Sequence, residues 1–183
     1  MSSDDMNEDL RALHARPVFL IGMMGCGKTT IGAELAQLLS CPYLDNDALL
    51  LEREGKDLLA LAAEGSDVLH DAEARLARWL CTLDPPFVAG IPASIADRHI
   101  ELNRLRDRGF LVYLRASPKT LTERIMRSGR RPWVGGDPLA WTTSILSSRA
   151  PAFEESAQLI VDTDSMTPAL LARRIATWSG AST

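Results

Sequence analysis

The residues that most directly indicate chemistry form a glycine-rich segment at positions 22–29, with the sequence GMMGCGKT. It matches the phosphate-binding loop pattern G-x-x-x-x-G-K-[ST] at every fixed position. The glycines of such a loop let backbone N–H groups turn towards phosphate oxygens, and the following helix adds positive potential at its N-terminus. Lys28 is expected to reach the β- and γ-phosphates, and Thr29 to offer its hydroxyl to Mg²⁺. The sequence therefore predicts a nucleoside triphosphate site.

The residues on either side of this loop support the prediction. Positions 18–21 are a short apolar stretch typical of a strand, and positions 30–39 carry apolar residues at helical spacing. Phosphate loops occur in this order of strand, glycine loop and helix, which disfavours the alternative of an ordinary glycine-rich turn. The candidate nucleotide-binding residues of this segment are Gly22, Gly25, Cys26, Gly27, Lys28, Thr29 and Thr30.

Cys26 within the loop has two interpretations. A thiol beside a helix N-terminus can be unusually reactive, whereas a small side chain can simply fit the loop, and the second is favoured. The three cysteines are scattered without a CxxC spacing, which suggests free thiols in a reducing cytoplasm. The three histidines are also far apart along the chain, so we predict no zinc site.

Length and charge limit the classes of partner. At 183 residues, we expect one domain over residues 16–178, between a flexible tail at 1–15 and a short tail at 179–183. The net charge of −4 does not favour nucleic acid or an anionic membrane, and no segment approaches the roughly 20 apolar residues of a membrane span. The N-terminal residues also lack the pattern of a signal peptide. We expect a cytoplasmic monomer that binds small molecules.

Short apolar segments alternate with segments of helical period. The predicted strands cover residues 18–21, 42–44, 87–89, 110–114 and 158–161. The predicted helices cover residues 28–39, 48–54, 58–63, 67–82, 97–108, 118–127, 137–148 and 168–178. This alternation predicts a three-layer α/β domain, a P-loop NTPase fold with a central five-stranded parallel sheet. Ligands bind such sheets at the carboxyl ends of the strands, where residues 22–29, 45–47 and 90–92 are expected to meet.

One segment, at about residues 127–138, departs from this alternation. It combines three arginines, three glycines and two prolines between two predicted helices. Basic, flexible loops near triphosphate sites often close over the reaction, so we predict a mobile lid here rather than a surface loop with incidental charge.

Two missing patterns narrow the class of P-loop protein. The sequence contains no apolar strand that ends in Asp-Glu, as in most ATPases, and no guanine-type N-K-x-D. Its small size, its candidate lid and the pair Asp45 and Asp47 after the second predicted strand favour a small-molecule kinase.

From Arg16 to Trp178 the sequence resembles the shikimate kinase family, P-loop enzymes that phosphorylate a ring hydroxyl of shikimate. The resemblance rests on the opening FLIGMMGCGKTTIG, on YLDND around the two aspartates, and on EGSDVLHDAE at positions 64–73. Further along, RAPAFEESA at positions 149–157 resembles R-x-P-x-Y-x-E-x-A. Cys26 stands where the family more often has Ser.

The resemblance implies roles for individual residues. Asp45 would organise Mg²⁺ through water, and Asp47 would hold the acceptor hydroxyl as base or orienter, although both also suit a helix N-cap and first turn. Arg124 and Pro168 would lie on the adenine side, and Arg131 would stabilise charge on the transferring phosphoryl group.

The acceptor side both matches the family and departs from it. Arg149 would be the retained arginine for the substrate carboxylate, but His70 stands where the family has a second one. A histidine offers one donor and is mostly neutral at pH 7, so the change is expected to cost about 1.5–3 kcal/mol of binding. The family's Gly-Gly-Gly turn is replaced by Gly90-Ile91-Pro92, in which Gly90 is retained as a substrate-binding candidate and the other two are expected to fill the pocket wall.

We therefore expect a kinase that uses ATP and Mg²⁺ to phosphorylate shikimate or a related hydroxylated acid. The alternatives are a kinase for a different acceptor, such as a sugar acid or nucleoside, and a nucleotide-binding module with a regulatory role. The retained Asp47 and Arg131 disfavour a pure binding module, because nucleotide binding alone needs neither of them.

Overall fold

The computed structural model describes residues 15–128 and 136–178. The strands are β1 (Val18–Ile21), β2 (Tyr43–Leu44), β3 (Val88–Gly90), β4 (Phe110–Arg115) and β5 (Leu159–Asp162). The helices are α1 (Lys28–Leu38), α2 (Asn46–Glu54), α3 (Leu58–Glu64), α4 (Ser66–Leu80), α5 (His99–Arg108), α6 (Pro118–Arg127), α7 (Pro138–Ser156) and α8 (Pro168–Ala176). Residues 1–14 of the predicted N-terminal tail, the predicted C-terminal tail and the centre of the predicted lid, residues 129–135, lie outside the described residues.

The strands form one parallel sheet in the order β2-β3-β1-β4-β5. β1 lies at its centre, where Val18 is in register with Val88 of β3 and with Phe110 of β4. All four residues of β1 are fully buried, as expected for a strand that is covered on both faces. The predicted five-stranded parallel sheet is confirmed, and each predicted strand matches an observed one within a residue at either end.

Two groups of helices cover the sheet. α1 packs against α8, whereas α5 packs against α4 and α7 on the other side of the buried strands. This arrangement is the predicted three-layer α/β architecture. Within the described residues, no helix is both long enough and apolar enough to cross a membrane.

The helix α7 extends further than predicted. The sequence pattern ends it at residue 148, but the helix continues to Ser156 although Pro151 lies inside it. An interior proline removes a backbone donor and typically costs about 3 kcal/mol. Phe153, which follows, is fully buried, and its ring centroid lies 5.2 Å from that of Tyr113 on β4. This tertiary packing favours continuation of the helix past the proline.

The predicted helix at residues 97–108 is divided in two. A 3₁₀ helix, Ala93–Asp97, follows β3, and α5 begins only at His99. Arg98 between them has φ −125° and ψ 73°, which are not helical angles, so the chain changes direction there. The 3₁₀ helix was not predicted, and it places Ser94 and Asp97 beside the sheet edge that carries the candidate site.

Gly32 allows α1 to approach β2 closely. A Cβ built at Gly32 would lie 2.2 Å from the ring of Tyr43. The hydroxyl of Tyr43 in turn lies 3.4 Å from Oδ2 of Asp45 and donates to it. The absence of a side chain at Gly32 thus determines where the segment that carries Asp45 lies.

We expect Gly32→Ala to destabilise the protein by about 1–3 kcal/mol, because the added methyl overlaps the Tyr43 ring. Alanine is otherwise the better helix former by about 1 kcal/mol. In a Tyr43→Leu background, the same change should therefore be neutral or stabilising. Urea unfolding of the two single variants and the double variant measures both effects. Equal destabilisation in the two backgrounds would show that the ring contact is not the cause.

Candidate active site

A cavity of about 980 Å³ lies at the carboxyl ends of the parallel strands. Its wall includes residues that follow β1, β2, β3 and β5, together with side chains from α3, α4, α6 and α7. The sequence-predicted candidates that line it are Gly25, Cys26, Gly27, Lys28, Thr29, Thr30, Asp47, His70, Arg124, Arg149 and Pro168. The structure therefore brings most of the candidate residues together in one cavity.

The loop after β1 has the backbone of a phosphate cradle. Gly22 and Gly27 have φ angles of 137° and 104°, which residues with a Cβ rarely adopt. A Cβ at Gly22 would also lie 2.6 Å from the carbonyl oxygen of Leu114, so the loop turns directly against β4. Gly27 is the N-cap of α1 and has no side chain to cap it, which leaves the first N–H groups of the helix available to an anion.

The Lys28 side chain lies back along this loop. Its Nζ donates to the carbonyl oxygens of Gly22, at 2.9 Å, and Met23, at 3.2 Å. These bonds hold the ammonium group at the mouth of the cradle, where it can also contact phosphate oxygens. Gly22 contributes this carbonyl rather than a part of the cavity wall.

Cys26 is fully buried beneath the loop. Its sulfur would lie 3.0 Å from a Cβ at Gly22, so there is little space around it. This packing fits the interpretation of Cys26 as a small side chain that completes the loop.

Asp45 joins the phosphate loop to α2. Its Oδ2 accepts a 2.9 Å hydrogen bond from the hydroxyl of Thr29, and its Oδ1 caps α2 by accepting from the backbone N–H groups of Asp47 and Ala48. Burial and the nearby carboxylate of Asp45 raise the pKa of Tyr43, so its hydroxyl stays protonated and donates to Asp45. The N-cap role that the sequence left open is thus filled by Asp45, in addition to its bond with Thr29.

The oxygen donors of Thr29 and Asp45 suit Mg²⁺. Mg²⁺ is a hard cation that prefers oxygen ligands and usually keeps several waters while binding substrate phosphates. Within the described residues, no cluster of three or more His, Cys, Asp or Glu side chains has the arrangement of a metal cage. The donor set therefore fits a cation held mainly by phosphate oxygens and water.

Asp47 lies in the first turn of α2 and lines the cavity. The side-chain amide of Asn46 donates to its Oδ1 at 2.6 Å. Its backbone N–H is bonded to Asp45, so the capped first turn holds the backbone from which this side chain projects. Asp47 therefore presents a carboxyl group to the cavity that also contains the phosphate loop.

Arg124 connects the phosphate loop to the segment after β5. Its guanidinium donates to the carbonyl oxygen of Gly25 at 3.3 Å, to the hydroxyl of Thr163 at 3.2 Å and to the Thr163 carbonyl at 2.8 Å. Pro168, at the start of α8, lines the same side of the cavity. Arg131, the candidate lid arginine, lies outside the described residues.

The far end of the cavity carries a second group of charged side chains. Arg149 on α7 donates through Nε, at 3.0 Å, and Nη2, at 2.6 Å, to the same oxygen, Oδ2 of Asp97. His70 is half-buried nearby, and its pKa is lowered first by desolvation and then by the charge of Arg149. His70 is thus held in its neutral form in the position where the sequence resemblance expects a cation.

Glu73 is a buried carboxyl group that the sequence did not single out as a functional residue. It lines the cavity one turn after His70 on α4, and the hydroxyl of Ser94 donates to its Oε2 in a short hydrogen bond. Burial raises the pKa of Glu73, an effect that exceeds the opposing influence of the Ser94 bond. Its burial in a cavity wall was not visible in the sequence, because it depends on the 3₁₀ helix that carries Ser94.

One expectation about the turn after β3 needs correction. Ile91 is fully buried in the core, so it does not fill the pocket wall as predicted, whereas Pro92 does line the cavity. Gly90 is not among the described residues that line the cavity, and its role in binding the acceptor stays a prediction. A Cβ there would lie 2.7 Å from the hydroxyl of Tyr43, so Gly90 makes room for that side chain.

An apolar wall of the cavity was also not predicted. It combines residues of α3 and α4 with others on α7, namely Leu58, Leu59, Ala62, Ala63, Leu69, Trp141 and Ile145. The periodicity of these helices identified apolar faces, but only the tertiary structure shows that parts of those faces line a cavity. Asp97 was missed for the same reason, although its position shortly after β3 places it at the sheet edge.

The raised pKa of Glu73 predicts a pH dependence of stability. The unfolded chain ionises this carboxyl at a lower pH than the folded protein does, so ionisation reduces stability as pH rises through the folded pKa. Glu73→Gln removes this effect and keeps an oxygen that can accept from Ser94. The free energy of unfolding of the variant, relative to the wild type, should increase from about pH 4 to about pH 7.

Urea unfolding across this pH range measures the difference. Glu54→Gln is the matched control, because Glu54 lies in an exposed ion pair with Arg75 and should show no such increase. A relative stability of Glu73→Gln that stays constant or falls with pH would contradict the prediction.

Comparisons with known proteins identify the family of this chain. The sequence pattern of the family described as shikimate kinase matches residues 24–179. A shikimate kinase of Dechloromonas aromatica is 34% identical over 164 residues, which cover 88% of this chain and 89% of that protein. A shikimate kinase of Bordetella pertussis is 35% identical, covering 88% of this chain and 77% of that protein.

A solved structure has the same fold. The shikimate kinase of Acinetobacter baumannii in complex with shikimate superposes with a TM-score of 0.83 at 25% identity, covering 91% of this chain and 94% of that one. The sequence match extends over the phosphate loop, the cavity walls and the final helix, and the fold agrees over the same span. On these grounds the chain belongs to the shikimate kinase family.

Proposed function

We propose that this protein transfers the γ-phosphoryl group of Mg-ATP to a hydroxyl of shikimate or of a related hydroxylated acid. The observation that carries this proposal is the position of Asp47. Asp47 lines the same cavity as the phosphate loop and lies in the first turn of α2, which Asp45 caps. Kinases need this combination of a phosphate cradle and an adjacent anion that can accept the proton of the attacking hydroxyl.

The nucleotide would bind along the loop and α1. Backbone N–H groups from Gly25 to Thr30 and the Nζ of Lys28 would hold the phosphates, while Arg124 and Pro168 would lie beside the adenine. Thr29 and, through water, Asp45 would hold Mg²⁺, which neutralises charge on the β- and γ-phosphates when bound. The resemblance assigns Arg131 to stabilisation of the transferring group, and this residue lies outside the described part of the chain.

The acceptor would occupy the cavity beyond Asp47. Its reacting hydroxyl would face Asp47, and its ring would lie against Pro92 and the apolar wall. Arg149 and His70 would lie at its far end. The weaker contacts that a neutral His70 offers to a carboxylate suggest a higher KM for shikimate than two arginines would give.

The proposal extends to the organisation of the protein. We propose that a single copy of the chain is the working unit. The net charge of −4 gives no basis for a nucleic acid or anionic membrane partner. We propose a cytoplasmic enzyme with one kinase domain over residues 16–178.

Asp47→Asn should lower kcat by about 10²–10⁴-fold and leave ATP affinity within about threefold, because it removes a proton acceptor but no phosphate contact. ADP release with shikimate measures turnover, and calorimetry measures ATP binding. Lys28→Ala should instead abolish ATP binding, and Asp107→Asn, an exposed change on α5, should alter neither quantity. If Asp47→Asn turns over as fast as the wild type, Asp47 serves only as a polar residue in the first turn of α2.

Arg124→Met should weaken ATP binding by about tenfold or more, since it removes charged hydrogen bonds that hold Gly25 and Thr163. The KM for the acceptor should change by less than about threefold, because Arg124 bonds the phosphate loop and the segment after β5, whereas Arg149 bonds Asp97. Arg104→Met, an exposed arginine on α5, is the control. An equal rise in KM for both substrates would contradict a role confined to the nucleotide side.

A further inference from the structure

The arginine at the acceptor end is already paired with a carboxylate of its own chain. Nε and Nη2 of Arg149 both donate to Oδ2 of Asp97. Nε and Nη2 lie on the edge of the guanidinium that forms the strongest hydrogen bonds with a carboxylate. The Arg149 side chain is 15% exposed and that of Asp97 is 48% exposed, so the pair lies at the border between cavity and solvent.

Among the residues that the structure describes at this end, the other charged groups supply no second free cation. Arg98 donates to Asp71 at 2.5 Å. His70 is half-buried, and the burial that lowers its pKa favours the neutral imidazole. Glu73 is a further carboxyl group in the cavity wall, and it accepts a hydrogen bond from Ser94. The charge of Arg149 is therefore largely balanced by Asp97 before any acceptor binds.

A carboxylate on the acceptor would have to compete with Asp97. If it displaces Asp97 from Arg149, one carboxylate–guanidinium pair replaces another and the net gain is small. If it shares Arg149 with Asp97, the two carboxylates repel each other. In either case the acid group contributes less to binding than it would at an arginine without an internal partner. A neutral acceptor with the same hydroxyls does not meet this competition.

We infer that Asp97 is a specificity-determining residue, which reduces the preference of the acceptor site for acids over neutral analogues with the same ring and hydroxyls. This inference rests on the proposed kinase function and concerns only the recognition of the acceptor. Asp97 acts through Arg149 and is therefore a positioning residue. Shikimate remains a substrate, but its carboxylate is a minor determinant of binding.

The test compares shikimate with its methyl ester, which keeps the ring and hydroxyls and removes the charge. The ratio of kcat/KM for the acid to that for the ester measures the preference for the charged group. In the wild type this ratio should be below about ten, whereas one full charged contact would be worth about tenfold to a hundredfold. Asp97→Asn should raise the ratio about five- to tenfold by lowering the KM for the acid alone.

Asp97→Asn keeps the size of the side chain and an oxygen for Arg149. Asp97→Ser is a second variant that should shift the ratio in the same direction if the first folds poorly. Glu54→Gln is the matched control, since it removes the charge from another arginine–carboxylate pair outside the cavity, and it should leave the ratio unchanged. A general loss of structure would affect both acceptors and would not move the ratio.

The outcomes separate this inference from the proposed function. A wild-type ratio above ten, or a rise of less than threefold in both Asp97 variants, overturns the role of Asp97 while the kinase function stands. Absence of turnover with the acid and the ester alike overturns shikimate as the acceptor of the proposed reaction, and this inference with it. A low wild-type ratio that rises at least threefold on loss of the Asp97 charge supports the inference.

Discussion

The close approach of the loop after β1 to the backbone of β4 is the constraint on which the rest of the site depends. β1 is buried between β3 and β4, and the chain that leaves it turns at Gly22, where a Cβ would lie 2.6 Å from the Leu114 carbonyl oxygen. Only a residue without a side chain permits this turn at a φ of 137°. The turn determines where α1 begins, and the start of α1 determines where an anion can bind.

Hydrogen bonds link the phosphate loop and α1 to the segments that follow other strands of the sheet. Thr29 on α1 is bonded to Asp45 after β2, which also caps α2 and thereby positions Asp47. On the other side, Arg124 bonds the loop to the segment after β5. The phosphate side of the cavity is thus built from groups that hold one another in place, as electrostatic catalysis requires. Phosphoryl transfer depends mainly on such positioning, because the protein has little covalent chemistry to perform.

The end of the cavity that we propose for the acceptor is organised differently from the phosphate side. Its charges are partly cancelled within the protein, since Arg149 is paired with Asp97 and burial favours the neutral forms of both His70 and Glu73. Much of the wall beside these residues is apolar. Acceptor selectivity can change at this end while the contacts of the phosphate loop stay the same, because the hydrogen bonds of Arg149 and those of the loop involve different residues. The retained fold and the altered acceptor residues are therefore compatible within one family.

The sequence by itself determined the phosphate loop, the order of strands and helices, the α/β class and the family resemblance. These features depend on local spacing and on buried apolar runs, which are read directly along the chain. The tertiary structure decided which candidates share a cavity, that Ile91 belongs to the core, that Gly90 makes room for Tyr43, and that α7 continues through Pro151 to bury Phe153. It also decided the pairing of Arg149 with Asp97, two residues that lie 52 positions apart in the sequence. Contacts of this kind depend on how distant elements pack, and a side chain's local sequence does not specify whether it meets a ligand, the core or a partner of opposite charge.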